Sequence, residues 1–144
     1  MSTEMTRVLV LCTHNSARSQ MAEALLRSIG EGRYQVASAG TESTRVNPLA
    51  IEAMNELGID ISGARSEHLN DYIEREWDYV ITVCDSAAES CPMFPGPAER
   101  IHWSFPDPSA AQGTDDEKLA VFRDVRDAIQ AQLEEWVKSR RVTR

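Results

Sequence analysis

The sequence lacks several features that mark common classes of protein. Its three cysteines are few and odd in number, which argues against a purely structural disulfide framework. No apolar run approaches the length of a transmembrane helix. The N-terminus has neither the basic segment nor the apolar core of a signal peptide. We therefore expect a cytoplasmic protein that does not associate with membranes.

The chain also lacks an excess of basic residues. Its formal net charge is −8 over 144 residues, which argues against non-specific binding to nucleic acid or to anionic membranes. An anion can then be held only by a local site. The balance of 42% hydrophobic and 26% charged residues is usual for one soluble globular domain. We expect a single domain over residues 1–144, monomeric, with a partly disordered tail from about residue 138.

Strand patterns alternate with helical patterns along the chain. Strands are predicted at 7–12, 34–40, 78–84 and 100–105, and helices at 16–29, 47–58, 66–75 and 115–140, with Asn47 and Ser66 as caps. This alternation predicts an α/β fold, a parallel sheet with helices on both faces. Ligands of such folds collect at the carboxyl ends of the strands, where Cys12, Gly40, Cys84 and the segment after Phe105 lie.

The first of these strand ends carries a cysteine and an arginine at a chemically informative spacing. "CTHNSARS" is C-x5-R-S between a predicted strand and a predicted helix. Backbone N–H groups in such a turn form an anion cradle, which a guanidinium fork can close, and the same positive field favours a nucleophilic thiolate. The alternative is a buried strand-end cysteine with a coincidental arginine. The predicted oxyanion-binding residues are Thr13, His14, Asn15, Ser16, Ala17 and Arg18, with Cys12 as nucleophile, Ser19 as its hydrogen-bond partner and a positive φ at Asn15.

The stretch "VLVLCTHNSARSQMAEALL" resembles the signature of the low-molecular-weight protein tyrosine phosphatase superfamily, which includes phosphatases and thioredoxin-coupled arsenate reductases. The segments "SAGTE", "NPLAIEAMNELGIDIS", "DYVITVCDSAAESCPMFPG", "IHWSFPDPS" and "FRDVRDAI" extend the resemblance over most of the chain. It implies a three-layer fold with a four-stranded parallel sheet in the order 2-1-3-4. His14 stands where the family often has glycine, and Ala17 stands where many members have a second cysteine.

The other two cysteines separate the branches of this superfamily. Cys84 ends a predicted strand and Cys91 follows seven residues later. On a rigid helix the two would lie about 10 Å apart along the axis, whereas a disulfide needs Cα atoms within about 7 Å. Bridging them therefore requires the segment to unwind. Both cysteines resemble those of the arsenate reductases; the alternative is two small buried apolar side chains.

The segment "FPDPS" supplies an acid. Asp107 before Pro108 matches the general acid of the superfamily, which protonates the departing oxygen. The alternative is an ordinary turn aspartate before proline. Tyrosine phosphatases of this fold usually carry an aromatic residue after the Asp-Pro pair, where this chain has Ser109.

The resemblance implies a mechanism that uses all three cysteines. Cys12 attacks arsenate held by Arg18 while Asp107 protonates the leaving hydroxyl, Cys84 then attacks Cys12 and releases arsenite, and Cys91 attacks Cys84 to free Cys12. Thioredoxin reduces the final disulfide, and the role so implied is arsenic resistance. The alternatives are a low-molecular-weight protein tyrosine phosphatase and a non-catalytic oxyanion-binding protein.

The resemblance requires no cofactor but implies a potassium ion beside the loop. The matching positions are Asn15, Glu23, Ser38 and Glu67, with Glu67 standing where an aspartate is usual. Hydrogen bonding within the loop is the alternative role of these side chains. The cysteine spacings fit no zinc site, so no other metal is expected.

Overall fold

A computed structural model describes residues 5–42, 44–85 and 93–142. Four parallel strands form one sheet in the order β2-β1-β3-β4, which confirms the predicted order 2-1-3-4. The strands are β1 (Thr6–Cys12), β2 (Tyr34–Gly40), β3 (Tyr79–Thr82) and β4 (Glu99–His102). Because β1 lies between β2 and β3, its carboxyl end at Cys12 is at the centre of one edge of the sheet.

Alternate residues of β1 belong to two separate apolar clusters. Val8 and Val10 pack with the helices α1 (Arg18–Gly30), α2 (Pro48–Asn55) and α3 (Asp115–Val142). Leu9 and Leu11 point to the opposite face. Within the described ranges, that face is covered by the 3-10 turn Leu69–Asp71 and by the side chains of Tyr72 and Phe94. The central strand is therefore buried on both faces, as its continuous run of apolar residues predicts.

The predicted helix at 66–75 is wrong, because the structure has only the 3-10 turn Leu69–Asp71 there, capped by His68 rather than Ser66. The backbone of this segment is hydrogen-bonded to β2 and to residues 13–17 between β1 and α1, which we call the active loop. Gly40 N donates to Glu67 O at 3.0 Å, and the Ser66 hydroxyl donates to His14 O at 3.2 Å. These long-range bonds hold the segment extended up to His68 and prevent a longer helix.

The two helices beside the active loop begin close to their predicted starts. Asn47 caps α2 as predicted, since its side-chain oxygen accepts from Leu49 N at 2.9 Å, and Pro48 is the first helical residue. Helix α1 begins at Arg18, two residues after the predicted start at Ser16, because the loop occupies those residues. Across the portions that the structure describes, no helix is long and apolar enough to span a membrane.

Candidate active site

The loop between β1 and α1 forms a concave backbone surface. Its carbonyl groups point into the surrounding protein: Thr13 O accepts from Glu42 N, His14 O from Ser66 Oγ, and Ser16 O from Asn47 N. Within the described residues, no hydrogen bond uses the N–H groups of residues 14–17. Those donors lie at the N-terminus of α1, whose dipole adds positive potential. The loop is therefore arranged to hold an oxyanion.

Four predicted side chains meet at this loop. Cys12 is 2% exposed, and its Sγ lies 3.0 Å from Ser19 Oγ. Arg18 is equally buried; its Nη1 donates to Phe105 O at 3.0 Å, and its Nη2 lies 3.9 Å from Asp107 Oδ2. The other Asp107 oxygen accepts from Ser109 N at 2.9 Å, which turns the carboxyl group towards Arg18. A thiol, a cation and an acid therefore surround one anion site.

Asn15 holds the loop in an unusual backbone conformation. It has a φ of 50°, which confirms the predicted positive φ. Asn15 is fully buried, and its Nδ2 donates to Ser19 Oγ at 2.8 Å and to Ser38 Oγ at 3.0 Å. Its Oδ1 accepts from Glu67 N at 2.7 Å. His14, which stands where the family often has glycine, has no positive φ, so Asn15 alone supplies the left-handed turn in the described loop.

Gly40, at the carboxyl end of β2, leaves no room for a side chain. A Cβ at this position would lie 2.7 Å from Thr13 O, 2.8 Å from Cys12 O and 2.9 Å from Asn15 N. All three are backbone atoms of the active loop, so none can move without distorting it. The sequence indicates that Gly40 ends a strand, but only the packed structure reveals that the loop needs a glycine here.

We expect Gly40→Ala to lower the free energy of unfolding by about 1–3 kcal/mol, the usual cost of overpacking. Urea denaturation measures this loss. Gly63→Ala is the matched control, because a Cβ there meets nothing within 4 Å. Equal stability of the two variants would contradict the packing argument.

Beside the loop, the four residues predicted to hold potassium lie together. Ser38 Oγ, already bonded to Asn15, donates to Glu23 Oε1 at 2.5 Å, and Tyr72 Oη donates to Glu67 Oε1 at 3.2 Å. Burial raises the pKa of Glu23, and the negative charge of Glu67 adds to that rise, although Ser38 and Arg27 oppose it. Burial also raises the pKa of Tyr72 to about 12, with the charge of Glu67 contributing. The donor set is oxygen-rich, which suits a hard cation.

The described residues contain no group of three or more His, Cys, Asp or Glu side chains able to hold a metal ion. The donors beside the loop include two carboxylates, Glu23 and Glu67, together with a hydroxyl and an amide oxygen. Asn15 Oδ1 already accepts from a backbone N–H and from Gln20 Nε2. A cation there would be coordinated mainly by Glu23, Glu67 and Ser38.

Cys84 lies two residues beyond the carboxyl end of β3, the strand next to β1. Val83 N donates to Leu11 O at 2.9 Å, which aligns the end of β3 with the end of β1. Cys84 is fully buried and disulfide-bonded, whereas Cys12 is a free thiol. Cys91, predicted as the third redox cysteine, lies outside the described residues.

Two residues at the site have contacts that the sequence did not predict. Asn47 joins the loop to the acid segment, because its N–H donates to Ser16 O at 2.8 Å and its Nδ2 to Ser109 Oγ at 3.4 Å. Gln20 is 3% exposed, and its Nε2 donates to Asn15 Oδ1 at 3.0 Å. The sequence signal for Gln20 is a polar residue next to the buried apolar positions of α1.

A buried cysteine and arginine lie at an anion cradle with an aspartate facing the arginine, which is the arrangement that the phosphatase-like motif predicts. The family model for "Low molecular weight phosphotyrosine protein phosphatase" matches residues 7–144, and the chain belongs to this family.

Several relatives of this chain carry another name. An arsenate reductase of Halalkalibacterium halodurans is 45% identical over 132 residues, covering 92% of this chain and 95% of the relative. An arsenate reductase structure from Archaeoglobus fulgidus matches with a TM-score of 0.77 and 26% identity, covering 91% of this chain and 98% of that one. A thioredoxin-dependent arsenate reductase of Corynebacterium glutamicum matches with a TM-score of 0.74 and 29% identity, covering 100% of this chain and 66% of that one.

Proposed function

We propose that this protein reduces arsenate to arsenite with electrons from thioredoxin. The observation that carries the proposal is the joint placement of Cys12, Arg18 and Asp107 at the anion cradle, with Cys84 just beyond the carboxyl end of the adjacent strand β3. A phosphatase needs the first three residues but has no chemical use for a second cysteine at this place. The arsenate reductases among the relatives support the same activity.

The first step is an attack on arsenic. Arsenate occupies the cradle, where the free N–H groups and the Arg18 fork bind its oxygens. The Cys12 thiolate forms a sulfur–arsenic bond, and Asp107 donates a proton to the departing hydroxyl, which leaves as water. The Ser19 hydroxyl, 3.0 Å from Cys12, stabilises the thiolate. Arg18 Nη2 and Asp107 Oδ2 are 3.9 Å apart, so the guanidinium and the acid can both reach the same oxyanion.

The second step transfers two electrons. The Cys84 thiolate attacks Cys12 Sγ, a Cys12–Cys84 disulfide forms, and the electron pair of the broken sulfur–arsenic bond stays on arsenic, which leaves as arsenite. Cys91 then attacks Cys84 and frees Cys12, and thioredoxin reduces the Cys84–Cys91 disulfide.

We infer that potassium binds at the site of Asn15, Glu23, Ser38 and Glu67, mainly through the last three, and neutralises the two carboxylates beside the loop. Burial of Glu23 next to the charge of Glu67 supports this site, because a cation relieves both effects. Replacing sodium chloride with potassium chloride at constant ionic strength should then raise the Tm of the wild type and leave that of Glu23→Gln unchanged. An equal Tm of the wild type in both salts would contradict the site.

Coupled turnover tests the proposed activity. NADPH consumption with thioredoxin and thioredoxin reductase should depend on arsenate, and phosphate should not replace arsenate. Hydrolysis of p-nitrophenyl phosphate without arsenate-dependent NADPH consumption would make the chain a phosphatase. Binding of the oxyanion with neither activity would make it an oxyanion-binding protein.

A further inference from the structure

Gln20 is a buried polar residue next to the anion cradle, and neither the phosphatase-like motif nor the relay gives it a role. It lies in the first turn of α1 and is 3% exposed. Its Nε2 lies within hydrogen-bond distance of three oxygens, at 2.9 Å from Arg65 O, 3.0 Å from Asn15 Oδ1 and 3.2 Å from Asn15 O. A primary amide has two N–H groups, so two of the three acceptors share one hydrogen. Both N–H groups of Gln20 therefore bond to the active loop and to the segment beside it.

These bonds determine how the Asn15 amide is turned. Asn15 Oδ1 accepts from Gln20 Nε2 and from Glu67 N, at 3.0 Å and 2.7 Å. In the reverse orientation, the NH2 group of Asn15 would face two other donors. The network thus assigns the amide orientation, with Nδ2 directed at Ser19 Oγ and Ser38 Oγ.

The orientation of Asn15 sets the direction of the remaining bonds. Ser38 donates its one hydrogen to Glu23 Oε1, so its oxygen accepts from Asn15 Nδ2. Ser19 likewise accepts from Asn15, at 2.8 Å. The one hydrogen of the Ser19 hydroxyl is then left for Cys12 Sγ at 3.0 Å. A hydroxyl that donates to sulfur stabilises the thiolate over the thiol.

We propose that Gln20 is a positioning residue for the nucleophile: it locks the Asn15 amide, and the locked amide directs the Ser19 hydrogen at Cys12. Gln20 does not touch the oxyanion or the sulfur. Its effect passes through Asn15 and Ser19, and it rests on the proposed role of Cys12 as the attacking thiol. The second bond of Gln20, to Arg65 O, holds the segment that supplies Glu67 N to the same amide.

Gln20→Met tests this role, because methionine has a similar length and volume but no N–H donor. The readout is the rate of alkylation of Cys12 by iodoacetamide across pH, followed by mass spectrometry of the Cys12 peptide. We expect the rate to fall about 3- to 10-fold on the rising limb of the profile, below its plateau, which is the scale of one hydrogen bond. The maximal rate at high pH should stay unchanged, since only the fraction of thiolate differs. Should Gln20→Met not fold, Gln20→Leu also removes the donors, adds no charge and is expected to shift the profile in the same direction.

A mutant cycle with Ser19→Ala separates positioning from a general loss of structure. If Gln20 acts through Ser19, then Gln20→Met changes the profile of the wild type but adds nothing to Ser19→Ala. Gln35→Met, on the exposed side of β2, is the matched control and should leave the profile unchanged. An unchanged profile in Gln20→Met, or additive effects in the double variant, would overturn the proposal.

The assay also distinguishes this proposal from the proposed function. Alkylation needs neither arsenate nor thioredoxin, so it reports on Cys12 even if the chain fails to turn over arsenate. If wild-type Cys12 reacts and Gln20→Met shifts its profile while arsenate is not reduced, the positioning role stands and the reductase assignment fails. If arsenate is reduced and the profile does not shift, the positioning role fails alone.

Discussion

Cys12→Ser is expected to abolish arsenate reduction, with a loss of at least about 10³-fold in turnover. A serine hydroxyl is not ionised at neutral pH, and it cannot form the disulfide that releases arsenite. The variant should still fold, because serine is smaller than cysteine and Ser19 remains as a hydrogen-bond partner at this buried position. NADPH consumption in the presence of thioredoxin and its reductase measures the loss.

Oxyanion binding is the control for that variant. Arg18 and the N–H groups of the loop remain in place, so phosphate should still raise the Tm of Cys12→Ser in a concentration-dependent way. Residual turnover above one hundredth of the wild-type rate would contradict a nucleophilic role for Cys12. Full turnover would show that the Cys12 thiol takes no part in the reaction.

Arg18→Lys is expected to lower kcat/KM for arsenate by about 10²- to 10³-fold, the range seen when one oxyanion donor is removed. Lysine keeps the positive charge but has no planar fork, so it cannot bind two oxygens of a tetrahedral anion at once. It also cannot replace both the bond from Arg18 to Phe105 O and the approach to Asp107. Steady-state kinetics with varied arsenate measures the change.

Arg33→Lys is the matched control for that substitution. Arg33 is exposed, lies just beyond the far end of α1, and donates to Gly30 O at 3.0 Å. The same chemical change there should leave kcat/KM within about twofold of the wild type, as expected for a surface substitution. If Arg18→Lys behaved like Arg33→Lys, the charge of Arg18 would suffice and the fork would have no role.

The parts of the site that lie close together in the sequence were predictable from it. Cys12 and Arg18 belong to one strand–loop–helix unit, and the pattern C-x5-R-S predicts an anion-binding turn at the start of the helix. Asn47 and Pro48 mark the start of α2 because capping is a local interaction. Parallel pairing of β1 with β3 then brings the segment of Cys84 to the same edge of the sheet as Cys12.

Contacts between distant residues were not predictable in this way. The pattern at 66–75 favours a helix, but bonds from Glu67 to Gly40 and Asn15 hold its first part extended. Gln20 resembles any polar residue in an amphipathic helix until the structure places its amide against Asn15. Such bonds depend on which segments meet after folding, and local propensity carries no information about that.

The relay of three cysteines is the central claim, and a single turnover of Cys91→Ser tests it most directly. The fully reduced variant is mixed with arsenate in the absence of thioredoxin, arsenite is quantified, and the disulfides are mapped under non-reducing conditions. The account predicts one arsenite per protein molecule and an accumulated Cys12–Cys84 disulfide, with neither product in Cys84→Ser. Release of arsenite by Cys84→Ser as fast as by Cys91→Ser would contradict the relay, because Cys84→Ser cannot form a disulfide between residues 12 and 84.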